Sequence, residues 1–224
     1  MREKKIGIVG GTFNPIHYAH LLLGEAAREQ FALSRVIFIP SGISYLKSEV
    51  AETEGIPSGE IRYQLVKLAI EDNPYFTCSR IEIDRPGPSY SADTLTELQR
   101  MYPGDELYFV VGADSLLYME NWKRPEEIFS RATILAAIRD DTDMEALARK
   151  KEMLAEKFDA RIELLHFPRL DISSTEIRER LRSGRSVRYL MPEDCVEFIR
   201  LKNLYSAVMP QEPKEDDDVR IWSK

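Results

Sequence analysis

Short apolar runs alternate along this chain with segments of helical spacing, and that alternation limits the fold more than any other feature. "KIGIVG" (5–10), "RVIFIP" (35–40), "ELYFVVG" (106–112), "TILAAI" (133–138) and "RIELLHF" (161–167) read as buried strands. "FTCSRIEI" (76–83) alternates like a further strand. Between them, "HLLLGEAAREQF" (20–31), "GEIRYQLVKLAIED" (59–72), "SADTLTELQRMY" (91–102) and "DMEALARKKEMLAEKF" (143–158) carry the spacing of amphipathic helices. Ser58 is placed to cap the second of these, and Asp93 lies in the first turn of the third, where a carboxylate suits the helix dipole. Two more helices, at 173–183 and 192–201, close the pattern. Such a chain is predicted to be α/β: a doubly wound, mostly parallel sheet with helices on both faces.

The 224 residues suit one domain, expected over 1–205, followed by a mobile tail at 206–224 whose end, "QEPKEDDDVRIWSK", is charged and interrupted by proline. No apolar run approaches the roughly 18 residues of a membrane helix, and the basic start precedes too short an apolar stretch for a signal segment. A cytoplasmic protein with no membrane partner is expected. Cys78 and Cys195 form no CxxC pair and read as two free thiols, and no zinc-type ligand set is found, so no protein-held metal is expected. The net charge of −7 argues against nucleic acid as a partner. The exception is the arginine cluster at 178, 180, 182, 185 and 188. It reads either as a solvated helix face paired with Glu176 and Glu179 or as a polyphosphate site.

The stretch "GGTFNPIHYAH" (10–20) holds two of the three histidines. It follows the first strand, at the end of a parallel sheet where ligands bind. Gly10 and Gly11 allow a tight turn and close approach of the backbone, and the helix start that follows favours an anion. Neither G-x-G-x-x-G nor a GK[ST] ending is present. His17 and His20 are expected on one face of that helix start. Each alone fits a histidine bonded to a backbone carbonyl; together, behind a glycine turn, they fit donors to phosphate oxygens.

Downstream, "ISSTEIR" (172–178) has its own logic. Ser173 with Glu176 fits a capping box. That leaves Ser174, Thr175 and Arg178 to explain, and hydroxyls, helix amides and a guanidinium make a polyphosphate cradle.

The first stretch resembles the G-x-F-(D/N)-P-x-H-x-x-H signature of nucleotidyltransferases related to class I aminoacyl-tRNA synthetases. The second is similar to their S-S-T-x-x-R signature. "SYSADTL" (89–95), "FVVGADSL" (109–116), "NW" (121–122) and "IRDD" (138–141) follow in the order of the bacterial nicotinate-nucleotide adenylyltransferase family. The likeness covers residues 4 to 205. It implies a Rossmann-like fold and transfer of AMP from ATP to nicotinate mononucleotide, with pyrophosphate released. It also implies that Mg²⁺ arrives with ATP, and a homo-oligomer is compatible with it.

For the site, the resemblance implies His17, His20 and Arg178 as catalytic. ATP would be held by Gly10, Gly11, Thr12, Phe13, Gly112, Asp114, Arg139, Ile172, Ser173, Ser174 and Thr175, and the mononucleotide by Asn14, Lys47, Thr94 and Trp122. Several have plain structural alternatives: Asp114 as a helix cap, Trp122 as core, Thr94 as a first-turn residue, Arg139 in a surface ion pair. "SGISYLK" replaces a stretch that in the family bears proline and histidine, "SYS" stands for the usual "SYT", and "RDD" for "RPG". Nicotinamide mononucleotide and phosphopantetheine are rival acceptors, and a catalytically silent nucleotide sensor is the reading from another class.

Overall fold

The computed structural model describes residues 3–44, 56–138, 142–168 and 170–206. Strands β1 (Lys5–Gly11), β2 (Arg35–Pro40), β4 (Phe76–Cys78), β6 (Glu106–Gly112), β7 (Ala132–Ile138) and β8 (Ile162–His166) form one sheet in the order β4-β2-β1-β6-β7-β8. Every pairing in it is parallel. The order turns back between β1 and β6, and this opens a crevice at the carboxyl ends of those two strands. Two short segments, β3 (Ile43–Ser44) and β5 (Pro88–Ser89), pair in parallel beside it.

Period-two side-chain alternation explains why both faces are covered. Val9, Phe38, Val110 and Leu135 point to one face, where helices α1 (Tyr18–Gln30), α2 (Gly59–Ala69), α7 (Ser174–Arg182) and α8 (Glu193–Leu201) pack. Ile8, Ile37, Phe109 and Ile134 point to the other, under α3 (Ser91–Met101), α4 (Ala113–Tyr118), α5 (Pro125–Arg131) and α6 (Met144–Phe158). The doubly wound α/β expectation therefore holds.

Most boundaries fall within two residues of those read from the sequence. Ser58 caps α2, its Oγ accepting from the Ile61 amide at 3.3 Å. The segment 76–83 differs: only Phe76–Cys78 is strand, and 79–87 folds as turns, because β4 is an edge strand. The short helix α5 was not read from the sequence, being too brief to show a period, and α4 entered only through Asp114 as its possible cap. Cys78 and Cys195 are free, and Cys195 Sγ donates to the Leu65 carbonyl at 3.3 Å. Among the described residues no helix is long and apolar enough to cross a membrane. Most of the tail, 207–224, lies outside the described residues, as do Lys47 and Arg139.

Candidate active site

A cavity of about 370 Å³ opens at the switch point, between the ends of β1 and β6. From the first sequence stretch Gly10, Gly11, Thr12 and His20 line it, and from further along Thr94, Gly112 and Trp122 do so. Gly11 is glycine for a packing reason: a Cβ there would stand 3.1 Å from the Phe13 ring. Phe13 itself takes φ of +47°, a region that non-glycine residues seldom use. Burial of its ring holds it there, 2% exposed and edge-on to His20 with centroids 5.1 Å apart.

The two histidines come together, but not as equals. His17 is the N-cap of α1, and His20 turns back so that its Nδ1 accepts from the His17 amide at 3.3 Å. Their rings are tilted by 30° to each other with centroids 3.8 Å apart. His20 borders the cavity, whereas His17 is buried behind it at 5% exposure. Because the His20 amide donates to the His17 carbonyl (2.9 Å), His17 Nδ1 is left buried with no partner of good geometry. Burial lowers the pKa of His17 to about 4 and holds that of His20 well below the usual value, the neighbouring His17 adding to it. Both rings are therefore neutral near pH 7, each with one N–H to donate.

The second stretch meets the first through its side chains. Arg178, 8% exposed, donates from Nη1 to the Asn14 carbonyl at 2.9 Å and from Nη2 to Thr175 Oγ1 at 3.4 Å. Ser174 Oγ donates to the Pro15 carbonyl at 2.8 Å. Ser173 is the N-cap, its Oγ accepting from the Glu176 amide at 3.1 Å. The carboxylate of Glu176 pairs with Arg180 (2.9 Å) rather than returning to Ser173, so only half of the capping box forms. The amides of Ser174 and Thr175 have no partner inside the helix. Ile172 packs at the edge of the core beside this turn. Arg188 pairs with Glu193 (3.7 Å), which with the Arg180 pair favours the solvated-face reading of the arginine cluster.

Other candidates stand differently. Asn14 is 5% exposed, and its Oδ1 accepts from the Tyr205 hydroxyl at 2.8 Å. Asp114 is exposed, caps nothing and does not line the cavity; its neighbour Ser115 does. Trp122 packs edge-on to Phe109 at 6.5 Å and also lines the cavity. Thr94 is buried, and its hydroxyl donates to Glu82 Oε1 at 2.8 Å. Among the described residues no cluster of three His, Cys, Asp or Glu side chains is arranged to hold a metal.

The sequence reading missed Arg62, which is 4% exposed. Its guanidinium donates to the carbonyls of Thr12 (2.7 Å), Ser41 (2.6 Å), Gly42 (3.4 Å) and Pro57 (3.1 Å). Burial pulls its pKa down. One signal was present: positions 62, 65, 66 and 69 form a single helix stripe, and the other three are apolar. Ser91, the first residue of α3, and Lys123 also line the cavity and were missed. No periodic signal marks either.

A parallel sheet with its crevice at the switch point, a glycine turn and two helix starts tied to each other defines a nucleotide-binding α/β protein of the nucleotidyltransferase type. The cytidylyltransferase-like family model matches residues 8–180. The chain belongs to that family and, within it, to the nicotinate-nucleotide adenylyltransferases. It is 46% identical over 204 residues to a "Probable nicotinate-nucleotide adenylyltransferase" of Lachnoclostridium phytofermentans, covering 90% of this chain and 99% of the relative. It is 43% identical over 205 residues to a protein of the same name in Moorella thermoacetica, covering 91% and 93%. In fold it is similar to the Plasmodium falciparum nicotinic acid mononucleotide adenylyltransferase complexed with NaAD, with a TM-score of 0.71 at 19% identity over 92% of this chain and 98% of that one.

Proposed function

We propose that this protein transfers AMP from ATP to nicotinate mononucleotide, giving nicotinate adenine dinucleotide and pyrophosphate. One observation carries the reading: Arg178 and Ser174 of the second signature are hydrogen-bonded to the carbonyls of Asn14 and Pro15 in the first, across more than 150 residues of chain. The start of α7 is thereby tied to the glycine turn, whose residues Gly10, Gly11 and Thr12 line the cavity, an arrangement suited to a triphosphate.

In the reaction, an oxygen of the acceptor phosphate attacks the α-phosphorus of ATP. The bond from that phosphorus to the β-phosphate oxygen breaks, and pyrophosphate leaves with the electron pair. The attacking phosphate is already mostly dianionic, with a second pKa near ~6, so no protein base is required. The chain must supply alignment and donors for crowded charge. The neutral ring of His20 serves as a donor at the cavity wall, with His17 stacked behind to fix it. Gly10, Gly11, Thr12 and Gly112 let ATP lie against backbone, with Phe13 buttressing the turn. Arg178 and the start of α7, at Ile172, Ser173, Ser174 and Thr175, hold the leaving pyrophosphate. Mg²⁺ would arrive with ATP as part of the substrate and would offset charge on its phosphate oxygens, without a dedicated set of protein ligands. Asp114, Arg139 and Lys47 remain proposed substrate contacts.

Trp122 and Thr94 mark the acceptor half, and Asn14 acts on it through the turn that it anchors. Ser91 at the start of α3 and Lys123 line the same cavity, and a helix start with a nearby ammonium suits a carboxylate better than a carboxamide. This favours nicotinate over nicotinamide mononucleotide. The protein is proposed to act in the cytoplasm on small molecules, without nucleic acid, and a homo-oligomer is compatible with that.

The deciding measurement is pyrophosphate release from ATP with nicotinate mononucleotide, nicotinamide mononucleotide and phosphopantetheine in parallel. The first should be strongly preferred. Release with none of the three would favour a silent nucleotide sensor.

A further inference from the structure

Glu82 takes part in no step above, yet its half-buried side chain lines the cavity wall. It sits in the turns between β4 and β5. Two elements converge on it. From the first turn of α3, Thr94 donates its hydroxyl at 2.8 Å. From the loop after β2, Gly42 packs against the main chain of Glu82. Gly42 runs so close to residue 82 that a Cβ there would stand 2.1 Å from the Glu82 carbonyl oxygen. Directly beyond Gly42, the pairing of Ile43–Ser44 with Pro88–Ser89 continues the same wall.

Ser41, Ser89 and Thr94 face the cavity from these elements. They are separate from the β1 turn and α7. Burial raises the Glu82 carboxyl above the usual range, opposed by the Thr94 hydroxyl and by Arg85, whose Nη1 reaches Thr94 Oγ1 at 3.0 Å. A half-buried carboxyl is costly unless its bonds are used. Here they join the two sides of the acceptor half.

We propose that Glu82 is a positioning residue for the acceptor: by tying Thr94 of α3 to the turn on which Gly42 packs, it sets the width of the half of the cavity that takes the mononucleotide. The proposal rests on the adenylyl-transfer reading. Glu82 acts through its neighbours and not on the reacting atoms.

The test is steady-state kinetics of Glu82→Ala, Glu82→Gln and Gly42→Ala, with ATP and nicotinate mononucleotide varied separately and melting temperature recorded. Glu82→Ala removes the partner of the buried Thr94 hydroxyl and should raise KM for the mononucleotide by about tenfold or more, with KM for ATP within about twofold. A Gln side chain can still accept from the Thr94 hydroxyl, so Glu82→Gln should restore KM to within about threefold of the wild type. Gly42→Ala pushes the loop away without touching the carboxyl and should reproduce the Ala phenotype; it decides the matter if Glu82→Ala does not fold. Both Ala variants leaving KM for the mononucleotide unchanged would overturn the proposal. So would an equal rise in both KM values with a lowered melting temperature, the mark of a purely structural role. A wild type inactive with nicotinate mononucleotide would overturn the adenylyl-transfer reading and this proposal with it, whereas an active wild type with unaffected Ala variants sinks this proposal alone.

Discussion

Neutral histidines beside a polyanion site are an unexpected economy, since a cation would attract phosphate more strongly. The reason lies in the packing. His17 is nearly sealed off, and the His20 ring is pressed between it and Phe13. A charged ring there would lose most of its hydration. A neutral N–H at the cavity wall donates without that loss. Removing one preorganised donor typically costs about 2.7–4 kcal/mol of barrier. His20→Ala should therefore lower turnover by about a hundred- to a thousandfold while the protein still unfolds cooperatively, as stopped-time pyrophosphate assays and urea titration would show.

The same burial predicts a pH effect on stability. The pKa of His17 is about 4 in the folded protein and about 6.5 when unfolded. Between those values the unfolded chain binds a proton that the folded chain does not, so stability rises with pH. It is fully present above pH 6.5 and is lost as pH falls toward 4. The stability advantage of the wild type over His17→Asn should shrink by about 2 kcal/mol between pH 7 and pH 5, measured by urea unfolding. An unchanged difference would mean that His17 takes up its proton over the same pH range folded and unfolded.

At the scale of elements, the start of α7 does two jobs with adjacent serines. Ser173 caps its own helix, and Ser174 pins that helix to the turn before α1. Ser173→Ala should cost about 1 kcal/mol of stability, the usual value of a cap. Ser174→Ala should cost about as much through one lost hydrogen bond, and in addition lower turnover by about tenfold or more, because small misplacements of aligned groups are expensive. Comparing turnover per folded molecule for the two variants would separate capping from alignment. The cap was legible in the sequence, since Ser173 and Glu176 have the right spacing. The pin was not, because its acceptor is a carbonyl of Pro15 that no side-chain pattern announces.

For the whole molecule, the chain closes on itself at the site. Tyr205, among the last described residues, is buried and donates to Asn14 Oδ1 near the beginning. Tyr205→Phe would leave that oxygen buried without its donor and should cost about 1–3 kcal/mol, read as a lowered urea midpoint. Arg62 performs a similar tie at the opposite side of the turn, joining Thr12 to the loops at Ser41, Gly42 and Pro57. The turn that receives ATP in our reading is thus held from both sides by residues remote in sequence.

By itself the sequence determined the layered α/β architecture. Its apolar runs and helical periods are local signals, and a run that must be buried on both faces has few ways to be satisfied. It also determined the two signatures, because their residue types and spacing are local as well. Tertiary structure decided that His20 faces the cavity while His17 stands behind, that Asn14 and Arg178 brace the turn, and that Glu82 and Arg62 belong to the site at all. Those outcomes depend on which carbonyls and amides are brought within about 3 Å by long-range packing. Nothing in a residue's immediate neighbours records that distance.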